Sequence, residues 1–133
     1  MNKYQNLPEL FFSKAKENLK NQHLLKINNN TNQIESWTWS NTYSSVNKIY
    51  QFIHSQNLEK NERILLVSEN RPEWMTADIA IMSNQLIAVP NYITYTSRDF
   101  EHILNDSQPV GLIVSNKKLN FKIYNSLINK LII

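Results

Sequence analysis

The stretch LLVSENRPEW, Leu65–Trp74, decides how the rest of the chain is read. Four apolar residues, Ile64 to Val67, stop at Ser68, and Glu69, Asn70, Arg71, Pro72 and Glu73 follow without a gap. Charged groups massed just past a strand suit an active site, but they also suit a plain strand-to-helix junction. Capping chemistry favours the junction. Asn70 is a good helix N-cap, and Glu73 three residues on completes a capping-box pattern. Pro72 then falls in the first turn, where its missing N–H costs nothing. Trp74, Ala77, Ile81 and Met82 supply an apolar stripe for a helix ending near Gln85, with Asp78 as its one awkward mid-helix charge.

A short continuous apolar run such as Arg63–Val67 is typical of a strand covered on both faces. Leu86–Tyr92 (LIAVPNY), closed by Pro90, is the next strand, and VGLIVS, beginning at Val110, is a third. Between them, Thr96 and Asp99 form another capping-box pattern for a helix that buries Phe100, Ile103 and Leu104 and stops before Pro109. From about Leu119, the residues Phe121, Tyr124, Leu127 or Ile128, and Leu131 recur at helical spacing. Strands alternating with helices of this length indicate βαβ units and a parallel sheet.

The N-terminal third reads differently. Leu7–Leu19 predicts a helix with Leu7, Leu10, Phe11 and Ala15 on one face. LLKI, an Asn-rich turn with Asn28, Asn29, Asn30 and Asn32, and QIESWTW predict a β-hairpin in which Trp37 and Trp39 alternate as core residues. Ser40 or Asn41 caps a second helix running to about Gln56, with Tyr43, Val46, Tyr50 and Ile53 at helical spacing. The fold class is therefore α/β: a β-hairpin followed by βαβ units with a partly parallel sheet.

Bulk properties exclude several functions. At 133 residues the chain is one domain, and its 41% hydrophobic and 19% charged content is ordinary for a globular protein. The net charge of +3 is scattered, with Lys117-Lys118 the longest basic run, so no nucleic-acid partner is expected. There is no cysteine, hence no disulfide, thiolate site or cysteine nucleophile. His23, His54 and His102 match no metal-ligand spacing. No signal peptide is evident, and no apolar run approaches the ~20 residues of a membrane helix, so a cytoplasmic location and no transmembrane segment are expected. Glycine occurs once, at Gly111. A phosphate-cradling loop needs several glycines, because backbone amides must approach the phosphates without a side chain in the way. Glu69, Glu73 and Asp78 are candidate carboxylates, yet nothing pairs them with a base, metal or nucleophile.

Several separated segments together resemble a known family. Thr38-Trp39, Asn61-Glu62-Arg63-Ile64, Glu69 to Trp74 and Val89 to Tyr92 occur in the order and spacing found near the N-terminus of AMP-forming acyl-CoA synthetases. The resemblance runs over roughly residues 35 to 116 and is nearest to the long-chain fatty acid–CoA ligases of the adenylate-forming superfamily. It implies that residues 1–133 are a truncated N-terminal subdomain of that fold. Intact relatives join a fatty acid to AMP using ATP and magnesium, then pass the acyl group to coenzyme A. No family catalytic, cofactor-binding or metal-binding residue maps onto any position here, so the chain alone is expected to be inactive and to hold no cofactor. A complementary C-terminal fragment is then the natural partner, and the apolar KLII ending reads as the start of a further strand. A sheet cut there is expected to aggregate readily. The alternative expectation is a non-catalytic protein–protein interaction module that retains the fold. Two departures stand out: Gln85 and Asn61 occupy positions where the family usually has glycine. Where glycine serves a positive φ, each replacement costs of order 1 kcal/mol.

Overall fold

The computed structural model describes residues 3–28 and 30–124. Helix α1 (Leu7–Asn18) is followed by strands β1 (Gln22–Asn28) and β2 (Gln33–Thr38), then helix α2 (Trp39–His54). Strand β3 (Arg63–Val67), helix α3 (Pro72–Ser83), strand β4 (Ile87–Asn91), helix α4 (Ser97–Ser107), strand β5 (Gly111–Val114) and helix α5 (Lys117–Tyr124) complete the order. β1 and β2 form an antiparallel hairpin with Ile27 opposite Ile34, and β4-β3-β5 form a parallel sheet. This is the expected α/β class.

Strand β3 is the axis of the fold. Ile64, Leu65, Leu66 and Val67 are all buried, and their alternation divides them between two cores. Ile64 and Leu66 pack with Phe11, Val46, Ile53 and the apolar residues of α3. Leu65 and Val67 pack on the other face with Phe100, Leu104, Leu112, Leu119 and Ile123. Helices α1 to α3 thus cover one face, and α4 and α5 cover the other. Full burial of each of these large side chains contributes about 1.5–3 kcal/mol.

Edge strand β4 contains Pro90, and its placement has a simple cause. The Ile87 N–H bonds the Glu62 carbonyl. Alternation along the strand then turns the nitrogens of Val89 and Asn91 toward β3 and those of Ala88 and Pro90 outward. Proline sits where no ladder donor is lost, and it blunts that edge.

Helix α3 corrects the expected capping. Its N-cap is Arg71, not Asn70, and no side-chain cap bond forms. Pro72 takes the first helical position, and the residue before a proline is pushed into extended backbone. Arg71 obeys, at φ −153 and ψ 158. Glu73 is consequently not a capping-box partner. The stripe is also broader than expected. Ala77 and Ile81 are buried, but so are Thr76, Ile79 and Ala80, whereas Trp74 and Met82 are only partly buried. A helix lying between the sheet and helices α1 and α2 buries more than one face.

Helix α2 starts earlier than expected. Thr38, not Ser40 or Asn41, is its N-cap, with Asn41 completing the capping box. The Thr38 N–H donates to Asn41 Oδ1 at 2.9 Å, and the Asn41 N–H donates to Thr38 Oγ1 at 3.2 Å. Trp37 stays in the strand opposite Leu24, while Trp39 is the first residue of the helix. The Thr96–Asp99 box forms as expected. Helix α5 starts two residues before Leu119 and buries Leu119 and Ile123. Asn29, the side chains of Phe121 and Tyr124, the positions Leu127, Ile128 and Leu131, and the KLII ending lie outside what the structure describes.

Candidate functional site

Doubly wound sheets bind ligands outside the carboxyl ends of their strands, where successive connections diverge. Here β3 is central. Its chain leaves toward α3 on one face, while the chain leaving β5 enters α5 on the opposite face. The switch point therefore lies between the carboxyl ends of β3 and β5, at Ser68 and Ser115.

The charged cluster of SENRPEW borders this crevice. Arg71 makes a fork-to-fork pair with Glu73: Nε donates to Oε2 and Nη2 to Oε1, both at 2.8 Å. The two planar groups lock each other. That guanidinium holds the Glu73 carboxyl at about 2, against an ordinary 4.5. Glu69 turns the other way. It accepts from the Ser115 hydroxyl, which lowers its pKa, and Asn116 Nδ2 approaches its Oε1 at 3.5 Å. Glu69 thus ties the loop after β3 to the residues after β5. The Ser68 hydroxyl donates to the Glu69 carbonyl at 3.0 Å.

Asp78 belongs elsewhere. Five residues beyond Glu73, it points about 140° away around the helix at ~100° per residue. It is half-buried, and desolvation pushes its carboxyl up. The three candidate carboxylates are therefore not brought together as a catalytic set. A small cavity of about 190 Å³ opens at the switch point, with Leu66, Trp74, Ala77, Ile113 and Val114 forming its apolar wall. Ser68, Arg71, Glu73 and Ser115 stand among the same lining residues.

The histidines are dispersed over three elements. His23 on β1 stacks on Trp39 with ring centroids 3.6 Å apart, its Nδ1 lies 3.0 Å from Thr42 Oγ1, and burial lowers its pKa. His54 at the end of α2 stacks on Tyr50. His102 is exposed on α4. Among the described residues, no group of three His, Cys, Asp or Glu side chains is placed to hold a metal ion.

The loop after β3 does not form a phosphate cradle. The loop from Ser68 to Arg71 has no glycine, Pro72 removes an N–H from the first helical turn, and the Arg71 fork is already bound to a carboxylate. Two features escaped the sequence reading. Arg63 clamps the end of α4, donating Nε to the Ser107 carbonyl at 2.7 Å and Nη2 to the Gln108 carbonyl at 3.0 Å. Asn116 caps α5 by accepting from the Leu119 N–H at 3.0 Å. An Asn following an apolar strand is the signal that marks this cap.

The glycine-replacing positions are placed as the resemblance implies. Asn61 and Gln85 have φ of 67 and 60, and they touch: the Asn61 N–H donates to the Gln85 carbonyl at 2.9 Å.

A family model described as AMP-binding enzyme matches residues 12–130. The chain is similar to fatty acyl-CoA synthetase A of Dictyostelium discoideum, at 33% identity over 73 residues. That match covers 55% of this chain and 11% of that protein. Among solved structures, the fold is similar to that of VinN, with a TM-score of 0.85, 11% identity, and coverage of 98% of this chain and 32% of that one. It is also similar to a fatty acid AMP ligase from Legionella pneumophila, with a TM-score of 0.74, 17% identity, and coverage of 84% and 20%. The matched part of the chain thus spans about a tenth of the curated relative and a fifth to a third of these solved chains.

Proposed function

The chain belongs to the AMP-binding enzyme family, and on that premise we propose that it is the N-terminal structural subdomain of a long-chain fatty acid–CoA ligase, inactive by itself. In the intact ligase, ATP and magnesium activate a fatty acid as its acyl adenylate, and coenzyme A then takes the acyl group. Residues 1–133 contribute the scaffold: a parallel sheet whose central strand is buried on both faces, and the helix junction that starts at Pro72. A complementary C-terminal piece of the same fold is the partner, and the cytoplasm is the setting. Among the described residues, no helix is long and apolar enough to cross a membrane.

One observation carries the reading. The family match extends over most of the chain, while its sequence has a single glycine and, among the described residues, no grouped set of acids. SENRPEW accordingly acts as scaffold: Pro72 and Arg71 set the helix start, and Glu73 neutralises Arg71.

The test has two arms. The chain alone, given ATP, magnesium and palmitate, should show no ATP–pyrophosphate exchange and no ATP binding by calorimetry; micromolar ATP affinity refutes the proposal. Coexpression with the reading frame directly downstream should restore palmitoyl-CoA formation, and a downstream frame lacking the Ser/Thr/Gly-rich loop argues against the split-ligase form. The alternative, a protein–protein interaction module, has in its favour the apolar outer side of the hairpin, where Leu25, Ile27 and Ile34 are exposed. A pull-down from the native cell that recovers no stable partner removes it.

A further inference from the structure

We propose that the switch-point cavity between β3 and β5 is a binding site for a small uncharged ligand with an aromatic or short aliphatic body and one hydrogen-bonding group. Three features converge on it. The first is topological: the chains leaving β3 and β5 diverge to opposite faces of the sheet, which opens a crevice at their carboxyl ends. The second is size. The cavity measures about 190 Å³. A cavity of about 150 Å³ lined by aliphatic and aromatic residues is already sufficient for benzene. One ring or a short chain with a single polar atom fits, and a nucleotide does not.

The third feature is polarity. Leu66, Trp74, Ala77, Ile113 and Val114 form an apolar body. The polar part of the lining is Ser68, Ser115 and the Arg71–Glu73 pair. That pair is internally neutral, because each carboxylate oxygen of Glu73 already accepts from the Arg71 fork. Among the lining residues a charged ligand finds no free counter-charge to offset its lost hydration, a cost that neutral ligands avoid. The Ser68 and Ser115 hydroxyls donate to Glu69, and the oxygen of each can still accept from the O–H or N–H of an alcohol, phenol or amide. Glu69 links the loop after β3 to the residues after β5 through Ser115 and Asn116. The site is defined by the lining residues of this chain and does not depend on the ligase reading.

The experiment titrates benzyl alcohol into the full 133-residue chain and follows the amide N–H signals of Ser68 and Ser115 and the indole N–H of Trp74 by NMR. Saturating shifts at these three groups are expected, with benzoate and benzylamine binding more weakly. Two cavity-filling variants, Ala77→Val and Ser115→Leu, are tested in parallel so that either one that keeps a dispersed native spectrum suffices. A folded filling variant should lose roughly tenfold or more in affinity. The proposal is overturned by shifts that never saturate, by shifts centred on Leu25, Ile27 and Ile34, by benzoate or benzylamine binding as tightly as the alcohol, or by a folded filling variant that binds as well as the parent.

Discussion

Replacing Gln85 by glycine should stabilise the chain, and the geometry of the α3 terminus gives the magnitude. Gln85 follows the C-cap Asn84 at φ 60. Its N–H donates to the Met82 carbonyl at 3.0 Å, and the Leu86 N–H donates to the Ile81 carbonyl at 3.3 Å. These two bonds make a Schellman motif, completed by the buried pair Ile81 and Leu86. Its left-handed position favours glycine, because an L-residue there brings its Cβ against the following carbonyl at about 1–2 kcal/mol. The Gln85 side chain is exposed, and the bonds of the motif are backbone bonds, so truncation sacrifices none of them. Against this, glycine adds about 0.4–1 kcal/mol of unfolded-state entropy. The net gain is about 0.5–1 kcal/mol, or roughly 2–4 °C in Tm for a chain of this length. Thermal melts by circular dichroism and urea midpoints at unchanged slope measure it. Gln85→Ala is the control, since alanine keeps the Cβ. A Gln85→Gly protein no more stable than Gln85→Ala refutes the reasoning.

The folded-state pKa of Glu73 is depressed to about 2, so its contribution is fully present above the unfolded value near 4.5 and is lost as pH falls toward 2. Both partners are partly exposed, so solvent screening limits this to about 1 kcal/mol or less. Urea titrations across that window should show it in the parent and not in Glu73→Gln. Thr96→Ala removes the hydroxyl that accepts from the Asp99 N–H and should cost about 1 kcal/mol in urea unfolding, while Thr96→Ser should restore most of it. Leu65→Ala empties a fully buried position under α4 and should cost about 2–5 kcal/mol, enough to unfold a marginal domain, seen as loss of dispersed NMR signals. Ile27→Lys with Ile34→Thr breaks the exposed cross-strand apolar pair and should lower self-association in sedimentation velocity without changing the melt by more than about 0.5 kcal/mol.

Much of the fold was legible because periodicity and capping are local. The continuous run Ile64–Val67 announced a strand covered on both faces, and Thr96 with Asp99 announced the start of α4. The errors are local as well, and each has one cause. Asn70 looked like the cap of α3 because its side chain is suitable, but Pro72 dictates which residue precedes the helix. Trp39 looked like a strand residue because it alternates with Trp37, but the reciprocal bonds of Thr38 and Asn41 begin the helix between them. At the candidate site, the sequence alone showed Glu69, Glu73 and Asp78 as three available carboxylates. Only their directions separate them: Glu73 on Arg71, Glu69 on Ser115, and Asp78 facing away along the helix.

The alternation of strands and helices, the scarcity of glycine that leaves no phosphate-cradling loop within these residues, and the helix junction at Pro72 are all encoded locally. These depend on side-chain type and spacing, which neighbouring residues enforce directly. Tertiary structure decided what those elements share. It placed β3 between β4 and β5, brought Ser115 to Glu69 across 46 positions of sequence, and opened the cavity beside Trp74 and Ala77. It also paired the two left-handed turns at Asn61 and Gln85 through one backbone hydrogen bond. Strand order and loop-to-loop contacts arise from burying two helical layers on one sheet, and no local pattern encodes that choice.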